Sequence, residues 1–319
     1  MKNIFENVLF SVAREDHKIE ASLIEKNNYK NLLTVCSGGC VPLSLKSLFP
    51  DVNIVAYDIN PNQIYHCKKK ISAVLNKDFA HLNVGNKNNQ GLNQSGKFEE
   101  MFQGLRRSFL ENITDVKVIK AFFNDAMLLE ERMRIASLWI NHKNINIPFD
   151  ETFNDDMIEN VFGNHATKQG VSGSYVQYFQ NKIMMAFLKE KSHTNPFLQH
   201  IFLGYYKSEN VFPYMTLNQR PIIDFFDGNI CDVPNIQTFD MVSLSNLFDW
   251  SDESFIIQCV RELSKMQSGS SVLLRQLNNH KDWSSFFSEK FIEDKTFDLY
   301  WQKKDRSLFY DHFRLFVKV

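Results

Sequence analysis

The sequence has no excess charge of either sign, no long apolar run and no dinucleotide-type glycine signature, and each absence removes a class of function. Lys and Arg number 36 against 37 Asp and Glu, a net charge of −1, so no overall field draws the chain onto nucleic acid or an anionic membrane. The basic clusters Lys68 to Lys70, Arg106 with Arg107, and Lys303 with Lys304 are small and are expected to be solvated faces. No stretch approaches the roughly 18 consecutive apolar residues of a membrane-spanning helix. The opening MKNIFENVLFSVAREDHKIE carries charges within its apolar part and no small-residue cleavage site, so no leader is expected there. A cytoplasmic protein follows, at most peripheral to a membrane. Cysteine is scarce: five residues at irregular spacing form no disulfide framework and suit a reducing compartment. Cys36 and Cys40 lack the further ligands that an iron–sulfur cluster or a zinc site requires, so no metal is expected and both are read as small packing residues.

What is present is apolar and aromatic. Hydrophobic residues make up 44% of the chain and Phe alone numbers 29, enough to bury a large core in one large or two modest domains. Residues 17 to 27 have helical spacing. YKNLLTVCSGG then reads as a buried strand broken by glycine, residues 42 to 48 as a helix, and FPDVNIVAYDINP as a second strand ending at Asp58, together a βαβ unit. A helix follows in NPNQIYHCKKKISAVLN, then a polar Gly/Asn-rich boundary at 81 to 96 and mainly helical patterns to about 206. Strand patterns return in RPIIDFFDGNI, TFDMVSLSNLFDW and GSSVLLRQL, with a helix at 253 to 265, and the aromatic runs FDLYWQKK and SLFYDHFRLFVKV are expected to close an antiparallel hairpin. The expectation is an α/β, Rossmann-like, seven-stranded sheet from residues 1–80 and 216–319, interrupted by a helical insertion at 81–215.

Right-handed crossovers bring the carboxyl ends of parallel strands to one edge, where ligands bind in open α/β folds. Ser37, Gly38 and Gly39 stand at the end of the first strand, where glycine lets a ligand approach the main chain. Asp58, about twenty residues on, is placed to accept ribose hydroxyls. Asp227, Gly228 and Asn229 end the third strand, and Ser245, Asn246, Asp249 and Trp250 follow the fourth. Four punctuated strand ends give the layout of the S-adenosylmethionine-binding α/β fold of class I transferases, with that molecule as co-substrate. Trp250 either stacks on adenine or packs in the core.

The blocks REDHKIEASL, LLTVCSGGC and IVAYDINPNQIYHCKKK, with FLGYY, FFDGNI, SLSNLFDW, Arg275 and DRSLFYDHFRLF, resemble the S-adenosylmethionine:diacylglycerol 3-amino-3-carboxypropyl transferases that begin betaine-lipid synthesis. The resemblance covers the first eighty and last hundred and twenty residues. The Asp-x-Asn-Pro-x-Gln block, carrying Asp58, Asn60 and Gln63, is its most specific part. It implies transfer of the 3-amino-3-carboxypropyl group to a hydroxyl of diacylglycerol, with methylthioadenosine as the other product. Because a sulfonium is already a good leaving group, the chemistry calls for no metal. Arg275 is then expected either to clamp the amino-acid carboxylate or to form an internal ion pair. Asp249, Asp16, Glu15 and His17 are the candidate bases, with helix capping as the other role for Glu15 and Asp16 and a structural role the other for His17. SYVQYFQNKIMMAFLKEK either lies in a membrane interface or packs on the sheet. A methyltransferase, an aminocarboxypropyl transferase on a soluble small molecule, or a non-catalytic ligand-binding protein on the same fold are the rivals.

Overall fold

Seven strands form one mixed sheet in the order β3-β2-β1-β4-β5-β7-β6. They are β1 (Asn31–Val35), β2 (Asn53–Asp58), β3 (Asp224–Asp227), β4 (Met241–Ser243), β5 (Ser271–Gln276), β6 (Phe291–Glu293) and β7 (His312–Lys318). The computed structural model describes residues 7–163, 170–287 and 289–319; the first six residues of the segment expected not to be a leader lie outside them. β1 to β5 pair in parallel, and β7 runs antiparallel to both β5 and β6. All six residues of β5 are buried, as expected for a central strand covered on both faces.

Alternation along the strands divides the core in two. Leu32, Ile54, Met241 and Leu273 face one apolar cluster, while Leu33, Tyr57, Val242 and Leu274 face the other. Helices α1 (Lys18–Asn27), α2 (Cys40–Leu48) and α3 (Pro61–Leu75) cover the first face. The connection from α3 to β3 then carries α4 (Lys97–Asn112), α5 (Val116–Phe122), α6 (Leu129–Ile140), α7 (Asn146–Phe153), α8 (Asp155–Phe162), α9 (Ser174–Phe187) and α10 (Pro196–Phe202). Between 81 and 215 the described residues contribute no strand to the sheet, only one isolated bridge, Val84 to Tyr206. The second face is covered by α11 (Glu253–Leu263) and α12 (Ser284–Phe287). α9, which carries SYVQYFQNKIMMAF, packs on α6 and α7 within the insertion rather than on the sheet, with Phe179 stacked on Phe153 at 4.3 Å. No helix among the described residues is long and apolar enough to cross a membrane.

Three expectations need correction. FDLYWQKK is not a strand but lies in α13 (Lys295–Lys304): Asp294 caps its first turn, and Phe297 and Trp301, four apart, bury one helical face. The hairpin partner of β7 is the short β6 that precedes α13. Lys70 and Arg106 are buried, not solvated, because their charged ends reach backbone carbonyls.

The glycines of the β1–α2 turn serve the protein's own packing. Residues Ser11 to His17 form a buried, non-helical segment between the sheet and the insertion, and a Cβ on Gly38 would lie 2.5 Å from the Val12 backbone. Gly39 has φ +78° at the amino end of α2, and a Cβ there would meet the Cys67 sulfur at 2.7 Å. The chain leading into Val12 cannot retreat, because α3 and α4 hold the polar groups of residues 7–11. Gln63 Oε1 accepts from the Leu9 and Phe10 amides while its Nε2 donates to the Phe10 carbonyl at 2.8 Å. The Ser11 amide and hydroxyl both donate to Glu99, at 2.6 and 2.8 Å. Asn60 Nδ2 donates to the Asn7 carbonyl at 2.9 Å. Gly38→Ala is therefore expected to lower stability by about 1–3 kcal/mol through overpacking. Chemical denaturation checks this, and an unchanged midpoint would mean that the segment yields.

Candidate functional site

The chain leaves β1 toward one edge of the sheet and β4 toward the other, so the carboxyl ends of these neighbouring strands bound a crevice. A cavity of about 300 Å³ lies there. Its floor comes from the ends of β1, β2 and β4, with Ser37, Asp58, Ser245 and Asn246. Ser37 has φ 45° and Ser245 φ 56°, left-handed conformations that are uncommon outside glycine, so both strand ends turn away sharply and leave the crevice open. The roof is aromatic: Phe98 from α4, Phe153 from α7, Phe162 from α8, Tyr175 and Phe179 from α9. Phe309 and Tyr310, just before β7, close one side.

Eight of the residues singled out from the sequence line this cavity: Glu15, Ser37, Asp58, Asn60, Gln63, Ser245, Asn246 and Trp250. Asp58 accepts the Ser37 amide at 2.9 Å and the Asn60 amide at 3.0 Å, which locks the two strand-end turns together. Burial pushes its carboxyl up to about 6; the two amides oppose that rise and the nearby Asp227 adds to it. Glu15 enters from the buried amino-terminal segment. It accepts the Ser245 hydroxyl and, at 3.4 Å, that of Tyr310, and its other oxygen lies 3.3 Å from Arg275 Nη1. Burial raises the Glu15 carboxyl above its ordinary value, with Arg275 acting against the rise. Trp250 meets the edge of Phe162 at 5.4 Å and so joins the floor to the roof.

The remaining candidates sit elsewhere. Arg275 does not line the cavity: it is fully buried, and its two terminal nitrogens meet Glu20 of α1 at 2.8 and 2.9 Å, so the internal ion pair is the role seen. Ser243 also donates to Glu20, at 2.8 Å. Asp16 is taken bidentately by Arg306 at 2.6 and 2.7 Å; burial alone would raise its pKa, but Arg306 outweighs that and holds it below the usual range. His17 packs edge-on against Phe212, and burial lowers its pKa to about 4, so it is neutral at physiological pH. Asp249 braces the loop after β5, accepting the Leu277 amide at 2.7 Å and Asn279 Nδ2 at 2.8 Å, and burial pushes it up to about 7. None of Asp16, His17, Asp249, Gly38 and Gly39 lines the cavity. Nor does the third strand end: the Gly228 amide donates to the Asp58 carbonyl at 3.0 Å, and Asn229 caps the turn at Cys231, so Asp227, Gly228 and Asn229 support the floor from outside.

Sequence inspection missed Arg14, Tyr310 and the aromatic roof. Arg14 and Tyr310 fall inside the REDHKIEASL and DRSLFYDHFRLF blocks, one beside an acid that drew attention and the other among aromatics read as strand packing. Protein-family models, curated proteins and solved structures contain no match to this chain.

Because the folded protein raises the Asp58 pKa from its ordinary 3.8 to about 6, it holds that proton more tightly than the unfolded chain does. The associated stability is fully present below about pH 4 and is lost as pH rises through about 6. Asp58→Asn removes the titration, so the stability of the variant relative to the parent is expected to improve from pH 4 to pH 6 and then level off. Urea denaturation across that range reads the difference; a constant offset would place the carboxyl in a water-like setting.

Proposed function

We propose that the chain is an S-adenosylmethionine-dependent transferase that moves the 3-amino-3-carboxypropyl group to an acceptor hydroxyl, with diacylglycerol the acceptor implied by the sequence resemblance. One observation carries this: a single cavity has a polar floor of strand-end groups and an aromatic roof supplied by the helical insertion. The floor suits a nucleoside and amino-acid donor, and the roof an apolar acceptor. Residues 81–215 would thus form the acceptor side, and contact with a membrane surface belongs to the same proposal.

When bound, S-adenosylmethionine supplies a sulfonium whose neighbouring carbons are open to displacement, and position selects which one reacts. The chain's part is to orient and to take a proton. Asp58, fixed by the Ser37 and Asn60 amides, keeps lone pairs for ribose hydroxyls. Of the four candidate bases, Glu15 is the one that lines the cavity. Ser245 and Tyr310 fix its carboxylate, Arg275 behind it favours the ionised form, and it takes the hydroxyl proton of the acceptor.

Incubation of the protein with labelled S-adenosylmethionine and a lipid extract tests the proposal. Methylthioadenosine together with a homoserine-ether lipid is the expected pair of products; S-adenosylhomocysteine would mean methyl transfer and overturn it. A vesicle-independent turnover of a soluble hydroxyl compound would retain the reaction and replace the acceptor. Glu15→Gln is expected to lower kcat by about 10²–10⁴ while leaving donor affinity within about twofold, as measured by single-turnover kinetics and calorimetry.

A further inference from the structure

Arg14 is a charged residue of the cavity wall that no role described so far uses. It is 4% exposed; Arg106, 5% exposed, is close enough for Arg14 to repel it, and Lys70, 0% exposed, repels the same His200 ring that Arg14 touches. Lys70 donates to the carbonyls of Ser11 and Gly38, and Arg106 to those of His200 and Ile201, so neither meets a carboxylate through these bonds. Glu99, 3.4 Å from Arg14 Nη2, is the anion at this cluster, and it is shared with the Ser11 amide and hydroxyl. His200 adds no charge: burial, followed by repulsion from Arg14, holds it neutral, and its ring meets Arg14 Nη2 at 3.0 Å and the Asn93 carbonyl at 2.6 Å. Among the described residues, three buried cations thus stand around His200 and Ser11 against the one carboxylate of Glu99, an imbalance that costs free energy in a low-dielectric setting. Burial also weakens the hold of Arg14 on its proton despite Glu99.

The hydrogen bonding of Arg14 is incomplete in the same place. Its Nε and Nη1 are buried and have no partner among the described residues, an uncommon state for a guanidinium. Its plane lies against Phe102, with the guanidinium carbon 4.4 Å from the ring centre, which fixes the orientation. We propose that Arg14 is the anion-recognition residue of the cavity, where a carboxylate of the bound ligand meets its unpartnered guanidinium donors and offsets the excess positive charge. This rests on the transferase proposal when the carboxylate is that of the 3-amino-3-carboxypropyl group. A long-chain carboxylate beneath the aromatic roof presents the same chemistry from another source.

Calorimetry on the full chain separates the sources. The parent protein is expected to bind S-adenosylmethionine about 10- to 100-fold more tightly than its decarboxylated analogue, the range of one charge-assisted hydrogen bond. Arg14→Gln combined with Glu99→Gln, which removes one charge of each sign, is expected to abolish that preference by weakening only the carboxylate-bearing ligand. If the parent ignores S-adenosylmethionine but binds oleate, and the double variant loses oleate, the Arg14 assignment stands and the transferase proposal falls. Equal binding of the two donors by the parent, a folded double variant that binds carboxylates unchanged, or a parent that binds neither carboxylate overturns the assignment. The comparison of the two donors needs no variant, so a misfolded variant leaves the proposal open to refutation.

Discussion

The constraint on which the structure rests is the burial of a non-helical, bent polypeptide segment, Ser11 to His17, between the sheet and the helical insertion. Buried main-chain groups outside helices and sheets must find partners, and here side chains provide many of them. Gln63, His66 and Lys70, spaced by three and four along α3, present one face whose polar ends meet the carbonyls of Phe10 and Ser11. Glu99 and the Gly96 amide meet Ser11 from the other side, and the Lys97 and Phe98 amides reach the Val8 and Leu9 carbonyls. Held from both sides, the segment delivers Arg14 and Glu15 into the cavity at fixed positions.

Two ion pairs, one fully buried and one with its arginine half-buried, complete this arrangement. Arg275 joins β5 to Glu20 of α1, and Arg306 joins the approach to β7 to Asp16. Such pairs add little net stability once desolvation is counted, but breaking one leaves a stranded charge, so they favour a single arrangement over its neighbours. The candidate base inherits this: Glu15 lies beside Arg275 and accepts from Ser245 and Tyr310, so its position depends on three separate parts of the chain.

Much of the sheet was legible in the sequence because it follows from local pattern. The βαβ unit of β1, α2 and β2, the end of β2 at Asp58, the later strands and the helical character of the insertion all follow apolar periodicity and turn residues. What local pattern left open or missed depends on a distant partner. Nothing near Arg275 announces Glu20, 255 positions away, and nothing near Gly38 announces the Val12 backbone against it. Lys70 and Arg106 looked solvated because charge is usually exposed, whereas buried carbonyls required donors there. FDLYWQKK misled through its aromatic content: Phe297 and Trp301 mark a helical period of four rather than the alternation of a strand. Of the site, the strand-end polar residues were visible, while the aromatic roof was not, because helices from well-separated stretches assemble it only in three dimensions.

The bond between Asp16 and Arg306 spans 290 positions. During synthesis Asp16 therefore emerges 290 residues before Arg306 exists. Loop closure over such distances is slow relative to local helix formation, so α-helical parts of the insertion can form while Arg14, Glu15 and Asp16 still lack their final setting. The cavity is consequently completed late in biogenesis: a nascent chain stalled before residue 306 would own most of its helices and still lack the wall that Phe309 and Tyr310 supply.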